Sequence, residues 1–224
     1  IIILKDIVFH QELENNMIMN LKNLNYYKFS LRERCVESIL ENLNYYNLSM
    51  LKIMKIPIFK QDTDYSCGPT VLQMIFAYFG IRTSENFLMH AAHTGKKDGT
   101  KHKWMIKVCT AHGLHAYVNE KTQLTKIEHF LEQKIPVVVH YIEPEGNIGH
   151  YAIVTKISKT TITLNDPWFG KNFRMSKQSF VKRWHGEKQK HHNWIMAVSD
   201  KPFLTGKQYH PKRNDERPSG GNGR

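Results

Sequence analysis

The chain has 224 residues, 41% of them apolar, and a formal net charge of +12, which suits one domain with a sizeable core plus extensions. Its three cysteines, Cys35, Cys67 and Cys109, exclude a disulfide framework. No apolar run approaches the roughly 20 residues of a membrane-spanning helix, so no membrane span is expected. The lysines are scattered and accompany no recognition motif, so specific nucleic-acid binding is not expected either.

In chain order, residues 1–49 are crowded with Ile, Leu, Asn, Tyr and Lys, and carry Asn-Leu-Asn-Tyr-Tyr at both 23–27 and 42–46. AT-rich DNA encodes such a vocabulary, and Met50 and Met54 follow directly. The expectation is a natural start at one of these methionines, with 1–49 an over-long reading of the gene. The competing reading is a helical prefix, because Leu31, Cys35, Ile39 and Leu43 recur at helical spacing.

Residues 61–71, QDTDYSCGPTV, place Cys67 where an irregular segment becomes a helix. Proline suits the first helical position, where its missing N–H is not needed. Cys67 is therefore expected at or just before the helix start, facing unpaired amides and the positive end of the dipole. Such a setting favours the thiolate, the nucleophilic form. Further helices are expected at 85–93, capped by Ser84, at 101–111, and at 124–133. Strands follow at 115–118, 135–142, 151–157, 160–165 and 194–198, with a short helix at 176–184 lying across them. Helices first and an antiparallel sheet second make an α+β chain.

The spacing Gln61-x5-Cys67-Gly68-Pro69 resembles the active-site entry of papain-like cysteine peptidases, most closely the bacteriocin-processing peptidases that cut after double-glycine leaders, and their stand-alone relatives. Gly149-His150-Tyr151-Ala152-Ile153-Val154 resembles that family's histidine strand, and Asn165-Asp166-Pro167 its aspartate turn, in the same chain order. The resemblance spans roughly residues 56–199. It implies a papain-like fold whose N-terminal helical half packs on an antiparallel sheet, with the active site in the cleft between them. It further implies Cys67 as nucleophile, His150 as general base and acid, Asp166 as the residue that orients it, and Gln61 with the Cys67 N–H as oxyanion donors. Acyl transfer by a thiol needs such a base and such an orienting partner.

Each residue also has a plainer reading: Cys67 as a small buried hydrophobe, His150 as a strand histidine, Asp166 as a turn former, Gln61 as a solvated loop residue. These readings are independent, and their coincidence in family order favours catalysis. Cys109 reads as a buried helix residue, and Trp168 as packing. The expected activity is hydrolysis of a peptide or protein through an acyl-enzyme, without cofactor. Alternatives are an acyltransferase or amidase using the same residues, or a catalytically silent peptide-binding module. The pairs His90/His93 and His112/His115, and the dipeptide His191-His192, raise a metal alternative, but without His-Glu-x-x-His or Cys-x-x-Cys no metal is expected. A free reactive thiol implies a reducing compartment such as the cytoplasm, or an exported enzyme that tolerates air; the resemblance, with no span expected, implies a separate transporter as partner. From Lys201 six basic residues face two acidic ones, and 201–224 reads as a basic disordered tail around the domain of 50–200. Its Gly220-Gly221 pair is read as chance in a low-complexity segment.

Overall fold

Alternation along the strands decides the architecture, because successive side chains of a strand point to opposite faces. In the stretch 137–141, Val137, Val139 and Tyr141 belong to one apolar cluster and Val138 to another. Both faces of the sheet are apolar, so both must be covered. The computed structural model describes residues 54–211, and in it helices lie on each side.

The elements in order are α1 (Cys67–Tyr78), α2 (Glu85–Ala91), α3 (His102–Ala111), β1 (His115–Asn119), α4 (Leu124–Glu132), β2 (Val137–Ile142), β3 (Gly149–Ile157), β4 (Thr161–Asp166), β5 (Gly170–Ser176), α5 (Lys177–Arg183), β6 (Ile195–Ser199) and β7 (Gln208–Tyr209), with a 3-10 turn at Glu187–Gln189. The strands form one sheet in the order β5-β4-β3-β2-β6-β1-β7, and every pair is antiparallel. Val71, Leu72 and Ile75 of α1 and Met105 and Cys109 of α3 pack on the face carrying Val138, Ile153 and Met196. Ile127 and Phe130 of α4, Phe180 of α5 and Trp184 cover Val139, Tyr141, Val154 and Leu164 on the other. The α+β expectation therefore holds, with α4 and α5 added behind the sheet.

Several boundaries differ from the sequence reading. Helix α1 opens at Cys67 with Ser66 as N-cap, which puts Pro69 at the third helical position. The N–H groups of the N-cap and the first three helical residues have no intrahelical acceptor, so the proline costs no hydrogen bond there either. Gly80, at φ +76, ends the helix in the left-handed conformation that glycine adopts freely. Strand β5 went unforeseen because its sequence, GKNFRMS, lacks apolar alternation; it is a sheet edge, where polar and charged side chains such as Lys171 and Arg174 face water.

The tail needs a correction. Composition reads 201–224 as a disordered tail, yet Gln208 and Tyr209 pair with Tyr117 and Ala116 of β1. The Gln208 side chain accepts from Phe203 N at 2.9 Å and donates to Phe203 O at 2.8 Å, closing the connecting turn. Composition obscured a strand of two residues held by its own side chain. The expectations for 1–49, for the Leu31 to Leu43 pattern and for Gly220-Gly221 lie outside the described residues.

Candidate active site

Three of the residues singled out by sequence meet at one end of the sheet. His150 is the second residue of β3, directly opposite Tyr141 of β2. Asp166 is the last residue of β4, which pairs with β3 through Ile153 and Asn165. Paired residues share a face, so this register puts Asp166 beside Ala152 and diagonal to His150. A bulge between Val154 and Lys156 sets that register, one extra residue shifting the pairing.

His150 Nε2 lies 2.9 Å from Asp166 Oδ1. The Cys67 sulfur lies near enough to act on the same imidazole, and since Nε2 faces the carboxylate, Nδ1 is the nitrogen left for the thiol. His150 is 4% exposed and Asp166 fully buried. Burial pushes the imidazole pKa down, but the adjacent Cys67 sulfur, followed by Asp166, outweighs it, and the net shift is up, to about 10. Burial likewise opposes ionisation of Asp166. The hydrogen bond and charge of His150, with the Phe169 and Trp168 amides, overcome this and hold its carboxyl below the usual range.

Asp166 is unusually well satisfied. Oδ1 accepts from His150, from Trp168 N at 2.8 Å and from Phe169 N at 3.0 Å. Oδ2 accepts from the Tyr141 hydroxyl at 2.8 Å. Burial and the neighbouring carboxylate push the Tyr141 pKa up, so the phenol remains a donor. Tyr141 was not singled out by sequence. Strand alternation gave a usable signal, since it places Tyr141 and Val139 on one face and the register adds His150.

Gln61 sits in the loop that leads into α1, 7% exposed. Its backbone N–H donates to Pro167 O at 3.1 Å, which ties the loop to the turn after Asp166. Its side-chain Nε2 donates one proton to Thr63 O at 2.7 Å, leaving a second N–H, while Oε1 is buried without a partner. The same loop is held from below by buried Glu85, whose Oε1 accepts from Asp62 N at 3.0 Å. As the first residue of α1, Cys67 has an N–H without an intrahelical acceptor.

Gly68 lets a second loop approach the turn that carries Cys67. A Cβ there would meet Thr100 Oγ1 at 2.6 Å and Thr100 Cβ at 2.7 Å. Thr100 in turn accepts from the Tyr151 hydroxyl at 2.8 Å through its carbonyl. Cys67 is 7% exposed and lines a cleft of about 810 Å³, together with Tyr65, His140, Ile148, Gly149, Tyr151 and Trp194. Cys109 is fully buried, and burial pushes its thiol pKa up, as its sequence pattern suggested. Trp168, read as packing, is instead 48% exposed.

The histidine pairs raised as metal ligands do not assemble. His93 packs against the Trp104 ring at 3.9 Å, His112 Nδ1 faces Val108 O at 2.8 Å, and His115 Nδ1 faces His210 Nδ1 at 2.9 Å. A different group lines the cleft: His102, His140 and His191. Burial, followed by the neighbouring imidazoles, pushes the pKa of His102 down to about 2 and that of His140 down to about 3. Among the described residues no helix is long and apolar enough to cross a membrane.

Comparison with known proteins gives a consistent relationship. A sequence model of the peptidase C39 family matches residues 55–188. The lacticin-481/lactococcin-DR transport/processing ATP-binding protein of Lactococcus lactis subsp. lactis is 27% identical over 157 residues, 67% of this chain and 20% of that protein. This chain thus spans about a fifth of that relative's length. An uncharacterized protein of Methanothermobacter marburgensis is 29% identical over 129 residues, 58% of this chain and 83% of its own. Among solved structures, the peptidase domain of Streptococcus ComA, a bi-functional ABC transporter, aligns with a TM-score of 0.52 at 23% identity, over 65% of this chain and 97% of that domain.

Proposed function

The chain belongs to the peptidase C39 family of cysteine-type peptidases, and we propose that it hydrolyses a peptide bond by attack of the Cys67 sulfur, releasing a leader that ends in two glycines. The observation that carries this reading is the buried His150–Asp166 hydrogen bond with the Cys67 sulfur beside the same imidazole. In the proposed cycle His150 Nδ1 takes the Cys67 thiol proton, and the resulting thiolate attacks the scissile carbonyl carbon. The Cys67 N–H and the second Nε2 proton of Gln61 receive the oxyanion. His150 then gives its Nδ1 proton to the departing amine, and the thioester forms. With that proton gone, the same nitrogen takes one from water, which attacks the thioester; the C–S bond breaks, freeing the acid and returning the Cys67 thiolate beside the protonated imidazole.

Asp166 keeps Nε2 as the protonated nitrogen throughout, so that Nδ1 alone trades protons. Its own orientation comes from the Trp168 and Phe169 amides and the Tyr141 hydroxyl. The relatives' printed roles in transport and processing support a leader as substrate class and a transporter as partner, and the reactive thiol supports work in a reducing setting such as the cytoplasm. The test is digestion of a peptide library with mapping of the cut bonds. Cleavage after glycine pairs is expected, along with its loss in Cys67→Ala and iodoacetamide labelling of Cys67 but not of buried Cys109. Cleavage that survives Cys67→Ala refutes the reading.

A further inference from the structure

The cleft that Cys67 lines also holds a second group of ligating side chains that the peptidase chemistry does not use. His102 opens α3, Glu120 follows β1, and His191 follows the 3-10 turn. One ligand atom from each of these three lies within 4.8 Å of the other two. His191 Nδ1 and Glu120 Oε1 already meet at 2.7 Å, both side chains being 49% exposed. Behind them His102 is fixed: its ring stacks on Trp194 at 3.9 Å and 10°, and its Nε2 lies 3.0 Å from His140 Nδ1. His140 is itself stacked on Tyr151 at 4.6 Å and 20°.

We propose that His102, Glu120 and His191 form a zinc site in this cleft, with His140 as the outer partner that orients His102. Two imidazoles and one carboxylate are a borderline donor set of the kind that zinc takes, and three protein ligands leave a fourth position for water or a substrate group. With bonds of about 2.0–2.2 Å, tetrahedral zinc needs its ligand atoms about 3.3 Å apart. The half-exposed Glu120 and His191 can reach that spacing by rotating, moving slightly apart from each other and toward His102, which stays where Trp194 holds it. A hydrogen bond from His102 Nε2 to His140 leaves Nδ1 with its lone pair for the metal. An outer acceptor that sets the tautomer of a ligating histidine is the arrangement that metal sites use.

The backbone keeps the two mobile ligands together. Lys121 N donates to His192 O at 2.8 Å and Thr122 N to Asn193 O at 3.3 Å, so the segments bearing Glu120 and His191 run side by side. Lys101 and Lys190 line the same cleft. Their charge opposes a cation and weakens the expected affinity. His191 entered the sequence reading only as half of a dipeptide. Its partners come from α3 and from the end of β1, so no local spacing marks the site.

The full-length Cys67→Ala protein separates this site from the nucleophile, since zinc also binds a free thiolate. Calorimetric titration with Zn2+ is expected to give one equivalent per chain. Co2+ is expected to show the visible bands of a four-coordinate ion without sulfur charge transfer. His191→Ala and Glu120→Gln, each made in that background, alter half-exposed side chains; each is expected to weaken zinc binding by about tenfold or more, with circular dichroism unchanged and His129→Ala as a silent control. No stoichiometric binding at submillimolar zinc, or binding that neither variant weakens, overturns the proposal. Because the readout is binding in a protein without the nucleophile, failure of the peptidase reading leaves this result intact.

Discussion

Asp166→Asn asks whether the carboxylate acts through its charge or by choosing the tautomer of His150. An asparagine must place its NH2 at one of two positions. At the Oδ1 position it would face two backbone donors, Trp168 N at 2.8 Å and Phe169 N at 3.0 Å, as well as the imidazole. Three donors against an amide NH2 leave buried protons unpaired, each costing about 1–3 kcal/mol. At the Oδ2 position it faces only the Tyr141 hydroxyl, which rotates to accept. The amide oxygen therefore stays toward His150, and the tautomer survives.

What is lost is the difference between a charged and a neutral hydrogen bond, about 1–2 kcal/mol or a factor of about 5–30. An aspartate whose amide replacement reverses the tautomer costs about 10⁴ instead. The assay is kcat/KM on a double-glycine leader peptide for wild type, Asp166→Asn, Asp166→Ala and His150→Ala. The alanine is expected to be worse than the asparagine, because it strands the Tyr141, Trp168, Phe169 and His150 donors together. A loss near 10⁴ in the asparagine variant, equal to that of His150→Ala, would refute the argument that the backbone locks the amide.

Gln61→Ala is expected to lower kcat by about 10²–10³ through loss of one oxyanion donor, with thermal stability nearly unchanged; an unaltered kcat removes Gln61 from the mechanism. Gly68→Ala is expected to lower stability by about 1–3 kcal/mol, because the new Cβ meets the buried Thr100. Denaturant melts check this, and Thr100→Gly in the same chain is expected to restore part of the loss. His150 is held down by burial but raised further by Cys67 than by any other neighbour, to about 10. Cys67→Ala is therefore expected to lower its titration, as read from the imidazole carbons by NMR. A folded-state pKa above the unfolded value of about 6.5 stabilises fully below that value and loses its contribution as pH rises through the folded pKa. Relative to Cys67→Ala, wild type should accordingly lose stability between about pH 7 and 10; a pH-independent difference contradicts the coupling.

Local sequence determined what local physics controls. Cys67 at a helix start follows from the switch between an irregular loop and an apolar-periodic run. The Ser84 cap, with its hydroxyl accepting from Phe87 N at 3.2 Å, and the strand carrying His150 were legible for the same reason: caps and alternation act over a few residues. The chain order of Gln61, Cys67, His150 and Asp166 was likewise readable, though their separations were not.

Only the tertiary structure decided what depends on register and on side chains from distant elements. A bulge in β3 determines which face of β4 Asp166 occupies, and a shift of one residue would have turned it away from His150. Tyr141 gains its role from pairing with β3, and Thr100 from a glycine that leaves room for it. The cluster of His102, Glu120 and His191 draws on three segments that share no spacing. Strand β7 emerged from a stretch whose composition reads as tail, because two backbone pairings and one glutamine side chain suffice where the sheet already offers an edge.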